Sequence, residues 1–202
     1  GRGEGETDKV AAAQVHQPIF SKSVYQLTSQ VLPPSGEKAC SQWAPVAVMF
    51  RCEADGSALR MLSSNSVTEK TPAVLPDGRL LYTRWEYVDR SQVHFHHLWV
   101  MNPDGSKQTV LFGNQMTSFD QPGSCVLIDA KPVPWSSDTV LVNYSPGHGQ
   151  AEHAGYPALL SLTNGPDDKT ALILPKEKKG LSYDPYPINR DYLLASRDEH
   201  LL

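Results

Sequence analysis

Cysteine is scarce in this sequence: Cys40, Cys52 and Cys125 are the only three among 202 residues. An odd count excludes a fully paired disulfide framework. No C-x-x-C-H is present, so the chain offers no attachment for a c-type haem. No run approaches the eighteen or so apolar residues of a membrane-spanning helix, and the opening GRGEGETDKV has neither a basic nor an apolar leader. Charge of one sign is not gathered into blocks either. Eighteen basic against 22 acidic residues give a net charge of -4, which excludes the electrostatic footprint that a nucleic-acid partner requires. A sustained i, i+3, i+4, i+7 apolar stripe is also missing, as are a G-x-S-x-G elbow and an H-E-x-x-H helix. The first residue is Gly1 rather than Met, so the chain reads as a segment of a longer protein from which any signal peptide has gone.

What the chain does have is 40% hydrophobic and 20% charged residues, enough for a soluble domain with its own core, together with 16 prolines and 14 glycines. Short apolar runs of strand length recur between turn residues: Val46 to Phe50, Leu80 to Thr83, Leu98 to Met101, Val140 to Asn143, Ala158 to Leu162, Thr170 to Leu174 and Tyr192 to Ala195. The pairs Asp55-Gly56, Asp77-Gly78, Asp104-Gly105 and Asn164-Gly165 lie between several of them, where Gly or Asn can take positive φ and close a hairpin. The fold class this pattern predicts is all-β.

The chain also repeats. TPAVLPDGRLLYTR from Thr71 aligns without a gap on KPVPWSSDTVLVNY from Lys131, an offset of 60 (131 minus 71) that puts Pro72 on Pro132 and Leu81 on Leu141. DPYPINRDYLLASR from Asp184 follows at an offset of 53 (184 minus 131), with Pro185 on Pro132 and Leu194 on Leu141. MFRCEADGSALRML from Met49 resembles LWVMNPDGSKQTVL from Leu98, 49 residues on (98 minus 49). A period of 50 to 60 residues carrying four short strands is the signature of β-propeller blades. The predicted architecture is a partial β-propeller of three to four four-stranded antiparallel blades: a partial blade over 41–66, full blades over 67–115 and 116–175, and a partial blade over 176–202, after an N-terminal extension over 1–40. In the first full blade the strands are expected at Pro72 to Leu75, Leu80 to Arg84, Leu98 to Asn102 and Lys107 to Leu111. Such a segment leaves open sheet edges unless further chain or another subunit meets them.

Blade topology puts the Asp-Gly turns on one side and the long second-to-third connections, Trp85 to His97 and Ser145 to Pro157, on the other. Five of the seven histidines fall in those two connections: His94, His96, His97, His148 and His153. His94 and His96, two apart on an extended segment, project to one side and could hold a Zn, Cu, Ni or Fe ion with His148 or His153. Tyr87, Asp89, Arg90, His97 and Glu152 are candidate ligand-binding residues beside them. The opposing reading is structural, with the imidazoles and carboxylates holding two long loops still. Glu86, Asp89 and Glu152 could also supply a carboxylate pair, and Trp85, Tyr87 and Phe95 could stack on a ligand or pack between sheets. Cys40 and Cys52 flank the first run and are a candidate disulfide, consistent with an oxidising compartment; three reduced thiols are the alternative.

LPDGRLLYTRWEYVDRSQVHFHHLWVMNPDGS, IDAKPVP, SPGHGQAEHAG and DPYPINRDYLLASRD resemble successive signatures of the propeller family related to the middle domain of the hydrazine synthase alpha subunit, and more distantly TolB-like propellers. The resemblance runs from about Cys40 to the end. It implies an exported bacterial protein, periplasmic or extracellular, whose propeller is one part of a larger chain often accompanied by haem domains. LTSQVLPPSGEK lacks a further Cys of the family pattern, and SSNSVTEKTP lacks its His or Asp. Three functions follow as expectations: a binding or assembly module whose His-rich loop face holds a metal ion; a catalytic domain of a hydrazine-synthase-like oxidoreductase complex using the same histidines; or a purely structural assembly tile. The partners implied are the remaining blades or domains of a longer chain, or another subunit.

Overall fold

The computed structural model describes residues 37–39, 42–44, 47–65, 67–86, 90–91, 94–119, 125–145, 147, 154–176, 180–197 and 200–201. Over these residues the chain is all-β and has no helix. The strands are β1 Glu37–Ala39, β2 Gln42–Ala44, β3 Phe50–Arg51, β4 Arg60–Met61, β5 Thr68–Val74, β6 Leu80–Trp85, β7 His96–Met101, β8 Thr109–Phe112, β9 Val126–Pro132, β10 Thr139–Ser145, β11 Tyr156–Ser161, β12 Leu172–Ile173, β13 Tyr183–Pro187, β14 Leu193–Arg197 and β15 His200–Leu201.

Two runs of four strands form antiparallel meanders. β5 to β8 pair in chain order, with Val74 opposite Leu80, Leu80 opposite Met101 and Val100 opposite Thr109. β9 to β12 do the same, with Pro132 opposite Val140, Val140 opposite Leu160 and Leu160 opposite Leu172. A hairpin, β3–β4, precedes them and a three-stranded sheet, β13–β15, follows. The first strands β5, β9 and β13 lie side by side, so successive sheets pack face to face around one end. One parallel pair, His96 with Val126, links the two complete sheets. This is a partial β-propeller.

The core explains the strand sequences. β6 (LLYTRW) and most of β10 (TVLVNYS) are buried on both faces, so they read as near-continuous apolar runs rather than alternations. Leu80 and Tyr82 face Met49, Leu62 and Met101, toward the β3–β4 hairpin. Leu81, Leu98 and Val100 point the other way and meet Leu127, Val140, Val142 and Tyr144 of the next blade. The Asp-Gly turns form as expected. Gly56, Gly78 and Gly105 take φ of 83, 86 and 88°, and Asp55, Asp77 and Asp104 each accept the backbone N–H two residues on, at 2.9, 3.0 and 2.9 Å.

Several bounds differ from the sequence expectation. β5 starts at Thr68 rather than Pro72, β8 covers Thr109–Phe112 rather than Lys107 to Leu111, and among the described residues of the run Val46 to Phe50 only Phe50 is strand. β12 and β14 are likewise displaced, to Leu172–Ile173 and Leu193–Arg197. The ungapped alignment is also corrected. Each first strand carries a bulge headed by a residue of positive φ: Thr71 (54°), Asp129 (53°) and Asp184 (46°). These bulges are 58 (129 minus 71) and 55 (184 minus 129) residues apart, whereas the second strands keep the offsets of 60 and 53. The 133–139 turn of the second blade is two residues longer than the 75–79 and 188–192 turns. Pro72 therefore shares its place with Ala130 and Pro185, while Pro132 shares its place with Val74 and Pro187.

Candidate functional site on the long connections

The Trp85 to His97 connection is fastened at its base, where the N–H of Glu86 donates to the carbonyl of Phe95 at 2.9 Å. Arg90 secures the excursion. Its guanidinium pairs with the carboxylate of Glu86, donates to the carbonyl of Asn114 and lies 3.8 Å over the ring of Phe95. One cation thus ties the loop to itself and to the residues after β8.

Two histidines of this connection turn away from each other. His96 and His97 are adjacent in β7 and so point to opposite faces. His96 is buried and its ring stacks on Trp85, its cross-strand partner, with centroids 5.2 Å apart. His97 is fully buried, packs edge-on against Phe95 at 5.1 Å, and places Nε2 3.1 Å from the carbonyl of Met116. Burial first, and the nearby charge of Arg90 second, push its pKa down to about 4. A neutral imidazole donating from Nε2 to Met116 satisfies that geometry. Gly113 is packed so closely on this ring that a Cβ there would stand 3.0 Å from its Cδ2. His94 is half-buried, and its Nδ1 is buried without a hydrogen-bond partner.

Of the second connection, Ser145 is described, and its hydroxyl accepts the N–H of Gly147 at 3.3 Å. Tyr87, Asp89, His148, Glu152 and His153 lie outside the described residues, as does Cys40. Among the described residues no group of three His, Cys, Asp or Glu stands close enough to hold a metal ion. Cys52 is a half-buried free thiol, held above its ordinary pKa by burial and then by Asp55 and Glu53. Cys125 is fully buried, and burial pushes its thiol up to about 12.

Two polar constellations escaped sequence reasoning. Between the β3–β4 hairpin and the first blade, Glu69 and Arg84 form a buried ion pair at 2.7 Å. Ser63 and Asn65 donate to the same carboxylate, and Arg84 reaches Gln108 at 2.7 Å and lies 3.8 Å over the ring of Trp99. A Glu and an Arg inside strand-forming stretches were the available signal. The second is the line of bulge residues. Burial, then the like charge of Asp184, outweigh Lys131, Lys70 and the backbone N–H of Asp184 and raise the carboxyl of Asp129 to about 6. The alternate placement of Pro132 hid this line from the ungapped repeat.

Fold and site together define an all-β, propeller-type segment with one fastened long connection. No family model and no curated protein matches the chain. Among solved structures it is similar to hydrazine synthase of Kuenenia stuttgartiensis, at 21% identity and a TM-score of 0.50 over 70% of this chain. The match spans 18% of that chain, so the likeness concerns the fold of one segment of a much longer protein.

Proposed function

We propose that this chain is a binding and assembly module, a set of propeller blades within an exported bacterial protein, whose long connections form the working face. The observation that carries the reading is the fastening of the 85–97 connection: Arg90 ties its described residues Glu86 and Phe95 to one another and to the Asn114 carbonyl. A loop held in one shape binds a partner with less ordering entropy. The fold likeness to a segment of a longer protein supports a role beside other domains.

The metal part of the proposal rests on His94. A buried imidazole nitrogen without a partner suits a ligand that arrives with a metal. In this reading His94 and His96 receive Zn, Cu or Fe together with His148 or His153. Elemental analysis of the purified chain tests it. About one equivalent of metal, lost in His94→Ala, is the expected result; a wild-type chain that stays metal-free after exposure to Zn, Cu and Fe overturns it.

A second reading is favoured by the same fold likeness: a catalytic part of an oxidoreductase complex. The double change His94→Ala, His96→Ala separates the two. The module reading predicts weakened partner or metal binding, and the enzyme reading predicts lost turnover in the complex with partner binding kept.

A further inference from the structure

The contacts between successive sheets follow one rule. At the first junction the hydroxyl of Thr83, on β6, donates to the carbonyl of Leu127 at 2.9 Å, and Thr71 Oγ1 accepts the N–H of Asp129 at 3.4 Å. At the second, the amide of Asn143, on β10, donates to the carbonyl of Ser182 at 3.0 Å, and the backbone N–H of Asp184 faces the carboxylate of Asp129 and favours its charged form. The registers make Asn143 the counterpart of Thr83, and Ser182 the counterpart of Leu127. In both cases the first sheet grips the next first strand at two points: the N–H of its bulge residue and the carbonyl two residues earlier. Apolar packing surrounds each grip.

The last sheet carries the same grip with, among the described residues, nothing in it. By the same registers Asp184 is the counterpart of Thr71 and Asp129, and Ser196 the counterpart of Thr83 and Asn143. Asp184 is exposed, and among the described residues nothing donates to its carboxylate. Ser196 turns its hydroxyl back to the carbonyl of Tyr183 at 3.4 Å. Around them Leu194 stands where Leu81 and Leu141 stand in the earlier blades. It is 37% exposed, whereas they are 0% and 2%. Tyr186 and Tyr183, its neighbours across β13, are 58% and 39% exposed.

From this we propose that the outer face of β13–β15 is the seat of a further blade of the same repeat, carried on the same polypeptide. The incoming first strand offers a bulge N–H to the carboxylate of Asp184 and, two residues earlier, a carbonyl to the hydroxyl of Ser196. Its apolar residues cover Leu194, Tyr186 and Tyr183. Continuity with the two junctions already formed identifies the occupant, since a strand that merely extended the β13–β15 ladder would leave this face bare. The inference deepens the assembly reading and rests on it.

The test lengthens the chain by one repeat. Leu201 pairs with Ser196 as Pro157 pairs with Asn143, so repeating residues 159–202 directly after Leu202 continues the third strand in register. Expected for the lengthened chain are a Tm at least about 5 °C above the parent and slowed amide exchange over the original 183–197. Asp184→Ala with Ser196→Ala in the original copy removes most of that gain while leaving the Tm of the parent chain within a degree or so. An added segment that stays protease-sensitive, with the parent's Tm unchanged, overturns the proposal. So does a parent chain that is itself a dimer and becomes monomeric on Leu194→Asp, because the face then seats a second copy. Metal loading at His94 is read on the same samples, so loss of the assembly inference and loss of the metal reading are distinguishable.

Discussion

Arg84 and Glu69 show how one residue can be indispensable without touching a ligand. Both are buried, and Glu69 also collects Ser63 and Asn65, so removing the guanidinium leaves a carboxylate with its charge unanswered. Arg84→Met is expected to cost about 3–5 kcal/mol, and Glu69→Gln with Arg84→Met together to cost less than the two singles summed, read by denaturant melts of all four proteins. Two other buried groups set the response to acid. His97, held at about 4 instead of 6.5, stays neutral in the fold, so its contribution is lost as pH falls from 6.5 through 4. Asp129, raised from 3.8 to about 6, acts oppositely: the folded state holds its proton longer, and stability falls as pH rises through that window. Lys70, Lys131 and Asp184 are the charges that face it. The two slopes largely cancel between pH 4 and 6 in the native chain. Asp129→Asn removes one of them, and its stability is expected to climb with pH by up to about 1.4 kcal/mol per unit; a mutant curve parallel to the native one rules this out.

Elements differ in how much of their placement was legible in the sequence. β6, β7 and β10 stood out because burial on both faces makes them continuous apolar runs, and the three Asp-Gly hairpins followed from side chains that hydrogen-bond their own turns. β5 starts four residues before the expected strand, because Thr68, Glu69 and Lys70 are polar in sequence while Glu69 is buried only where Arg84 answers it. The bulges were invisible for another reason: Thr71, Asp129 and Asp184 share a backbone conformation rather than a residue type, and a turn longer by two residues set Pro132 in line with Pro72 although it stands at the place of Val74. The clustering of histidines in the long connections was legible, but the direction of each ring was not, and β7 sends His97 into the core with Phe95 and Met116. Gly105 shows how tightly these elements meet: besides its φ of 88°, a Cβ there would stand 2.1 Å from the carbonyl oxygen of Leu62. Gly56→Ala, at similar φ but in open space, is expected to cost about 1 kcal/mol from the left-handed conformation alone, and Gly105→Ala clearly more, because the contact with Leu62 adds to it; equal losses would make the conformation rather than the contact the cause.

At the scale of the molecule the chain behaves as a short repeat array, in which each sheet is stabilised by its own strands and by the junctions on either side. Among the described residues the complete blades have a neighbour on both faces, whereas β13–β15 has one, facing β9 and β10. A leucine marks the same position in all three: Leu81, Leu141 and Leu194. Truncating a buried leucine removes its transfer free energy and leaves a cavity, at about 2–5 kcal/mol; truncating a partly exposed one costs much less. Leu81→Ala and Leu141→Ala are therefore expected to fall in that range, and Leu194→Ala below about 1 kcal/mol in the parent chain. The same Leu194→Ala change in a chain lengthened by one repeat should rise toward the cost at Leu141, because the third leucine then lies at a closed junction. If Leu194→Ala stays cheap while the added repeat folds, the new sheet sits elsewhere; if it is already expensive in the parent chain, the outer face of β13–β15 is covered without it.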